Sequence, residues 1–129
     1  YGHAAGDQVI INVADMLVNV FGERGFCARI GGEEFAVLSC GMPFPEFAVL
    51  AELARSRMAG MRTQYDNDTI SVTVSGGIAW ARREQEFGET FSRADKALYT
   101  AKSSGRDRIV LSYQPVEQLE PGQTNSSVA

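Results

Sequence analysis

Arg29-Ile30-Gly31-Gly32-Glu33-Glu34-Phe35 sets two glycines and two adjacent carboxylates between the apolar runs Phe26-Cys27-Ala28 and Phe35-Ala36-Val37-Leu38. A Gly-Gly pair so flanked predicts a tight β-hairpin, because glycine takes positive φ without penalty and a primed turn twists with its strands. The strands are predicted at roughly 26–30 and 34–40, with the turn at Gly31-Gly32. Two neighbouring glutamates at such a tip repel each other and favour solvent or a cation, while glycine lets a phosphate come close to the backbone. The tip is therefore either a corner for metal and phosphate or a solvated hairpin end that caps a sheet edge.

Working outward, Val9, Ile10, Val13, Leu17, Val20 and Phe21 recur at helical spacing and predict an amphipathic helix over about Asp7 to Phe21, ended by Gly22. Beyond the hairpin, Pro43 and Pro45 punctuate the chain, and Phe47, Leu50, Ala54, Met58 and Met61 mark a second helix from Glu46 to about Arg62. After the polar turn Asp66-Asn67-Asp68, Ile70, Val72 and Val74 alternate with Ser71, Thr73 and Ser75, which predicts a half-buried strand running on past Gly76-Gly77 to Trp80. Phe91, Ala94, Leu98 and Ala101 predict a third helix over about Glu89 to Ser104, stopped by Gly105, and a short strand follows at Arg108 to Ser112. The order helix, hairpin, helix, strand, helix, strand suits an α/β chain of the α+β sandwich type, a mixed, largely antiparallel sheet with packed helices. The domain is expected over 1–113. A Gln, Glu, Pro, Gly and Ser rich tail over 114–129 is expected to be disordered.

At 129 residues the chain is one domain's worth, and its charge of -4, with 16 acids against 12 bases, argues against a broad nucleic-acid-binding face. No stretch is read as approaching the roughly 20 apolar residues of a membrane span, and no signal peptide is visible. Cys27 and Cys40 sit in the two arms of the expected hairpin but not opposite each other, so they are expected to be reduced thiols.

Four blocks share the chain in order: Tyr1-Gly2-His3-Ala4-Ala5-Gly6-Asp7, then Ile30 to Leu38, then Val72-Thr73-Val74-Ser75, then Ala94-Asp95-Lys96-Ala97-Leu98-Tyr99-Thr100-Ala101-Lys102-Ser103-Ser104-Gly105-Arg106. In order and spacing they resemble the GGDEF domain of diguanylate cyclases, over residues 1 to about 111. The resemblance implies a fold similar to the palm of nucleotidyl cyclases and polymerases, and condensation of two GTP into cyclic di-GMP with release of pyrophosphate across a homodimer of such domains. It implies Mg²⁺, with Mn²⁺ as a substitute, held by Glu33 and Glu34, with Glu33 also the proton acceptor for the ribose 3′-hydroxyl. Gly31 and Gly32 would lie against the nucleotide, Lys102 and Arg106 would hold the β and γ phosphates, and His3 and Asp7 would contact the nucleotide, Asp7 accepting from guanine N1–H and N2–H.

Each of these residues also has a plainer reading: an N-cap for Asp7, a frayed end for His3, and cations complementing the helix dipole for Lys102 and Arg106.

The chain departs from the family pattern in two places. The family's first strand, with its metal-binding aspartate, and the segment after it would precede Tyr1. The expectation is a cytoplasmic piece of a longer protein with an upstream sensory or receiver module, inactive by itself, whose sheet exposes two unpaired edges. The positions of the family's inhibitory Arg-x-x-Asp hold Gly22 and Gly25, with Glu23-Arg24 between, so no product inhibition is expected there. The replacement of the family's usual asparagine by Asp107 is read as mild, and Gly76-Gly77 as loosening its strand. Two functions follow: a cyclase in the intact protein, or a non-catalytic GGDEF module that binds GTP or dimerises to regulate a neighbouring domain.

Overall fold

The computed structural model describes residues 2–81 and 87–112, and the backbone of 124–128. The element order is α1 (His3–Phe21), a 3-10 turn (Gly22–Arg24), β1 (Phe26–Arg29), β2 (Phe35–Cys40), α2 (Phe44–Gly60), β3 (Thr63–Tyr65), β4 (Asp68–Ile70), β5 (Gly76–Ala81), α3 (Phe87–Ser103), β6 (Ile109–Leu111) and β7 (Thr124–Val128). Five strands form one sheet in the order β1-β2-β7-β5-β6, and β3 and β4 form a separate hairpin. Only β5 and β6 pair in parallel among these strands, so the sheet is mixed and largely antiparallel, as expected.

Side chains alternate across a strand, and β5 shows what that does to the layers. Ile78 joins the core with Val13, Leu17 and Phe21 of α1 and Phe47, Ala51, Ala54 and Met58 of α2. Its neighbour Ala79 packs with Ala94 and Leu98 of α3. Thus α1 and α2 cover one face of the sheet and α3 the other. Phe21 and Phe47 meet at 5.2 Å between ring centroids, and Phe44 meets Trp80 at 4.2 Å.

Burying a Phe or Met side chain contributes about 1.5–3 kcal/mol each. The buried Phe21, Phe35, Phe47 and Met58 thus anchor the α1–α2 face.

Several expectations shift. The hairpin turn is not a two-residue Gly-Gly loop: Arg29 pairs with Phe35, leaving residues 30–34 as a five-residue loop, and Cys27 faces Val37. Within the loop, the N–H groups of Ile30 and Gly31 both donate to the Glu34 carbonyl, at 2.9 and 3.3 Å, which satisfies the backbone without a primed turn. Cys27 and Cys40 both keep their thiols, as expected.

The strand expected from Ile70 to Trp80 is broken. β4 ends at Ile70 because it belongs to the β3–β4 hairpin, turned at Asp66 with φ 53°, and residues 71–75 run without a ladder before β5 starts at Gly76.

Gly77 does not loosen its strand. A Cβ there would sit 2.1 Å from the Ala94 carbonyl oxygen and 2.3 Å from the Leu98 nitrogen, so its bare Cα lets α3 lie directly on β5.

α1 begins at His3 with Gly2 as its N-cap, so Asp7 lies inside the helix and caps nothing. Contrary to the sequence reading, His3–Arg24 is long and apolar enough for a membrane span by length and composition, with a mean hydropathy of 1.2. Its Val13, Leu17 and Phe21 are nevertheless buried in the core against α2, as the inward face of an amphipathic helix.

The expected disordered tail is corrected at its end. Residues 113–123 lie outside the described residues, but Thr124–Val128 form β7, between β2 and β5 and antiparallel to both. β2 and β5 run in the same direction, and the hydrogen-bonding edges that face each other across the gap are completed by this segment. Backbone pairing is indifferent to side chains, which is why a polar Thr-Asn-Ser-Ser run can fill an interior position.

Candidate active site

The 30–34 loop is set by its own first arginine. Arg29 Nε donates to the Gly31 carbonyl at 3.0 Å and its Nη2 to the Gly32 carbonyl at 2.6 Å, folding the guanidinium under the loop. Gly31 and Gly32 are exposed and neither takes a positive φ. A Cβ at Gly32 would meet nothing within 4 Å, and one at Gly31 would make only ordinary contact with Glu34. No fold requirement among the described residues demands glycine at either position. The open floor is room for something outside the protein.

Beside the loop, a cavity of about 260 Å³ opens between α1, α2 and the end of α3. Glu33, Lys102, Arg106 and Arg55 supply its charge, and Val13, Leu17, Phe35 and Met58 form part of its apolar wall. Lys102 Nζ stands 3.8 Å from Glu34 Oε1, with side-chain exposures of 32% and 42%. Glu33 therefore shares one cleft with Lys102 and Arg106, which lie far from it in sequence, and Glu34 stands beside it against Lys102.

The last turn of α3 delivers the cations. Gly105, at φ 119°, follows the helix as its left-handed residue, and the Arg106 N–H returns to the Ala101 carbonyl at 2.9 Å, the six-to-one bond of a Schellman closure. Arg106 and Asp107 continue in the left-handed region at φ 63° and 46°.

His3 and Asp7 are not brought to the cavity wall. They are exposed in the first turns of α1, whose Val9, Ile10, Val13, Leu17 and Phe21 line the cavity further along.

Sequence reasoning missed Arg29 and Arg55. For Arg29 a signal existed, an arginine directly before a glycine loop, whose fork can reach back to loop carbonyls. Arg55 carried none, because its partner Asp107 is far away in sequence. Arg55 Nη1 pairs with Asp107 Oδ1 at 2.7 Å and its Nε with both Glu52 oxygens at 2.9 Å. These hydrogen bonds hold the Glu52 carboxyl below its ordinary range and the guanidinium above its own. Asp107 thereby ties the turn after α3 to α2. At the far end of β1, Arg24 is committed to Glu46 at 2.6 Å, and a Cβ at Gly25 would meet Phe21 Cβ at 2.9 Å.

Among the described residues, no three His, Cys, Asp or Glu side chains converge as a metal site. The acidic corner offers Glu33 and Glu34 only. Such a pair fits Mg²⁺, which keeps waters and takes phosphate oxygens beside one or two carboxylates.

The model of the diguanylate cyclase GGDEF domain matches residues 1–108. The chain is 40% identical over 110 residues to diguanylate cyclase DgcP of Pseudomonas aeruginosa, covering 84% of this chain and 16% of that protein. It is 37% identical over 113 residues to diguanylate cyclase A of Treponema denticola, covering 87% and 30%. The chain thus spans less than a third of either relative. Among solved structures, the GGDEF domain of DgcB from Caulobacter crescentus in complex with c-di-GMP is similar at a TM-score of 0.79, with 34% identity, covering 87% of this chain and 67% of that one. The active GGEEF domain of a diguanylate cyclase from Vibrio cholerae is similar at 0.76, with 32% identity, covering 88% and 72%. The layered sheet and helices are accordingly the palm-like α+β fold of these domains. On the family match and the shared fold, this chain belongs to the GGDEF domain family of diguanylate cyclases.

Proposed function

We propose that this chain carries the active-site cleft of a diguanylate cyclase, which joins two GTP into cyclic di-GMP and releases pyrophosphate across a homodimer of such domains. One observation carries the reading: Glu33, Lys102 and Arg106 line one cavity, beside a glycine floor that the fold itself does not need. Phosphoryl transfer asks for charge neutralised on the phosphates, a deprotonated nucleophile and in-line placement.

Glu33, at the cavity wall, takes the proton of the ribose 3′-hydroxyl, and with Glu34 it would hold Mg²⁺, for which Mn²⁺ could substitute. Bound there, the metal would neutralise phosphate charge. Lys102 holds the β and γ phosphates as a point charge and Arg106 as a fork. Gly31 and Gly32 admit the ribose and phosphates. Asp7, with His3 beside it in α1, serves the base, and a carboxylate there accepts from guanine N1–H and N2–H, which adenine lacks. The domain would work in the cytoplasm under an upstream sensory or receiver module, and with Gly22 and Gly25 in place of the inhibitory pair it would escape product inhibition at that site.

The test is Glu33→Ala in the intact protein. Loss of cyclic di-GMP synthesis with GTP binding largely retained is the expected result; undiminished synthesis would remove Glu33 from the chemistry.

A second reading has its own observation. Glu34 stands 3.8 Å from Lys102 and Glu33 lies at the cavity wall, an arrangement that also suits a module that binds GTP without turning it over. Turnover by the intact protein decides between them: cyclic di-GMP production excludes the binding-only reading, and GTP binding without product excludes the cyclase.

A further inference from the structure

The turn that presents Arg106 is held in an uncommon conformation. Gly105, Arg106 and Asp107 all have positive φ, and two of the three carry side chains that disfavour it. Such a run persists only where its surroundings over-determine it. Two contacts do so at Asp107. Its N–H donates to Ser75 Oγ at 3.1 Å, and Ser75 is buried at the head of β5. Its carboxylate meets Arg55 Nη1 at 2.7 Å.

Arg55 is itself oriented from behind by Glu52, one turn earlier on α2, and its side chain is only 19% exposed. Both arginines line the cavity, but their states differ. The Arg55 guanidinium is spent on Glu52 and Asp107. Among the described residues, the Arg106 guanidinium makes no hydrogen bond or ion pair. One cation is committed and the other is free for an incoming anion.

From this division we propose that Arg55 is a positioning residue: it grips Asp107 from α2 and so fixes the left-handed turn that aims Arg106 into the cavity. The proposal rests on the reading of Arg106 as a triphosphate-binding cation. With its guanidinium engaged by Glu52 and Asp107, Arg55 acts through Asp107 on its neighbour. An asparagine at 107 would keep an acceptor oxygen and the N–H to Ser75, so the clamp needs the acceptor more than the full charge.

The experiment is a double-mutant cycle on Mg²⁺–GTP affinity of the 129-residue chain, read by titration calorimetry. Arg106→Ala is expected to weaken binding about tenfold and Arg55→Ala about fivefold, while Arg55→Ala in the Arg106→Ala background adds less than about twofold. Asp107→Asn should bind nearly as the parent and Asp107→Ala nearly as Arg55→Ala. Full additivity of the Arg55 and Arg106 effects would overturn the proposal, as would unchanged affinity in Arg55→Ala. Arg55→Lys serves if the alanine variant does not fold, with an intermediate loss expected and an additive one overturning.

A readout free of nucleotide separates the two ideas. Amide hydrogen exchange at Arg106 and Asp107 should speed up in Arg55→Ala and Asp107→Ala. If Arg106→Ala binds GTP like the parent, the phosphate assignment fails; if exchange at these amides is unaltered, the clamp fails.

Discussion

Lys102 Nζ lies 3.8 Å from Glu34 Oε1, so the last turn of α3 and the loop between β1 and β2 share one wet corner. Both side chains are about a third or more exposed, and exposed pairs of this kind contribute roughly 0–1 kcal/mol. The pair is thus a poor structural tie and a well-placed charge.

The first prediction follows from that contrast. Lys102→Met should weaken Mg²⁺–GTP binding about tenfold, equivalent to about 1.4 kcal/mol, and leave the urea midpoint nearly unchanged. Calorimetry and equilibrium unfolding on one preparation check it. A lowered midpoint with unchanged affinity would make Lys102 a structural residue.

Gly32→Ala should be close to neutral for stability, within about 0.5 kcal/mol, because a Cβ there meets nothing within 4 Å and its φ is not positive. If the nucleotide lies on this floor, the same methyl should reduce GTP affinity several-fold. Equal affinity in the parent and the variant would place the ligand elsewhere.

Gly77→Ala should be severe. Its methyl would need to enter the backbone of α3 at 2.1 Å from the Ala94 oxygen, and overpacking against an immovable neighbour costs about 1–3 kcal/mol or more. Urea unfolding should show the loss, and GTP affinity should fall with it, because α3 carries Lys102. A variant as stable as the parent would mean that α3 does not sit directly on β5.

Removing 113–129 takes β7 out of the sheet and leaves facing edges of β2 and β5 without a partner. The shortened chain should unfold at lower urea and associate with rising concentration, since open strand edges recruit strands. Light scattering and equilibrium unfolding report both. An equally stable, monodisperse truncation would show that β7 contributes nothing.

The two cysteines differ in burial. Burial pushes the Cys27 thiol above its ordinary range, whereas Cys40 is exposed at the end of β2. A raised value means that the folded state holds the proton more tightly than the unfolded chain does. Any stability from this is complete below the ordinary thiol value and is lost as pH rises through the raised one. Near pH 8, iodoacetamide should therefore modify Cys40 well before Cys27 in the native protein, as peptide mass mapping would read. Equal rates would contradict the burial of Cys27.

Much of the fold was legible because periodicity is local. The stripe Val13, Leu17, Phe21 names the buried face of α1, and Ala94, Leu98, Ala101 that of α3, since side chains repeat on one face of a helix whatever packs on it. The acidic corner and the two late cations were legible as motifs. The hairpin turn was misread because a Gly-Gly pair permits a primed turn without requiring one, and Arg29 stabilises a wider loop instead. The break at Ser71 was illegible because alternation reports which side chains face inward, not whether a neighbouring strand is present to pair.

The sequence by itself determined the three helices with their inward faces, the two arms β1 and β2, and the family, and it named the candidate residues for metal and phosphate, because all of these follow from spacing along the chain. Tertiary structure alone decided that Glu33, Lys102 and Arg106 line one cavity, that Arg55 clamps Asp107, that α3 rests on Gly77 and that β7 fills the centre of the sheet. These are distances between residues far apart in sequence. They are fixed by how layers pack and which strand edges meet, and no local pattern encodes them.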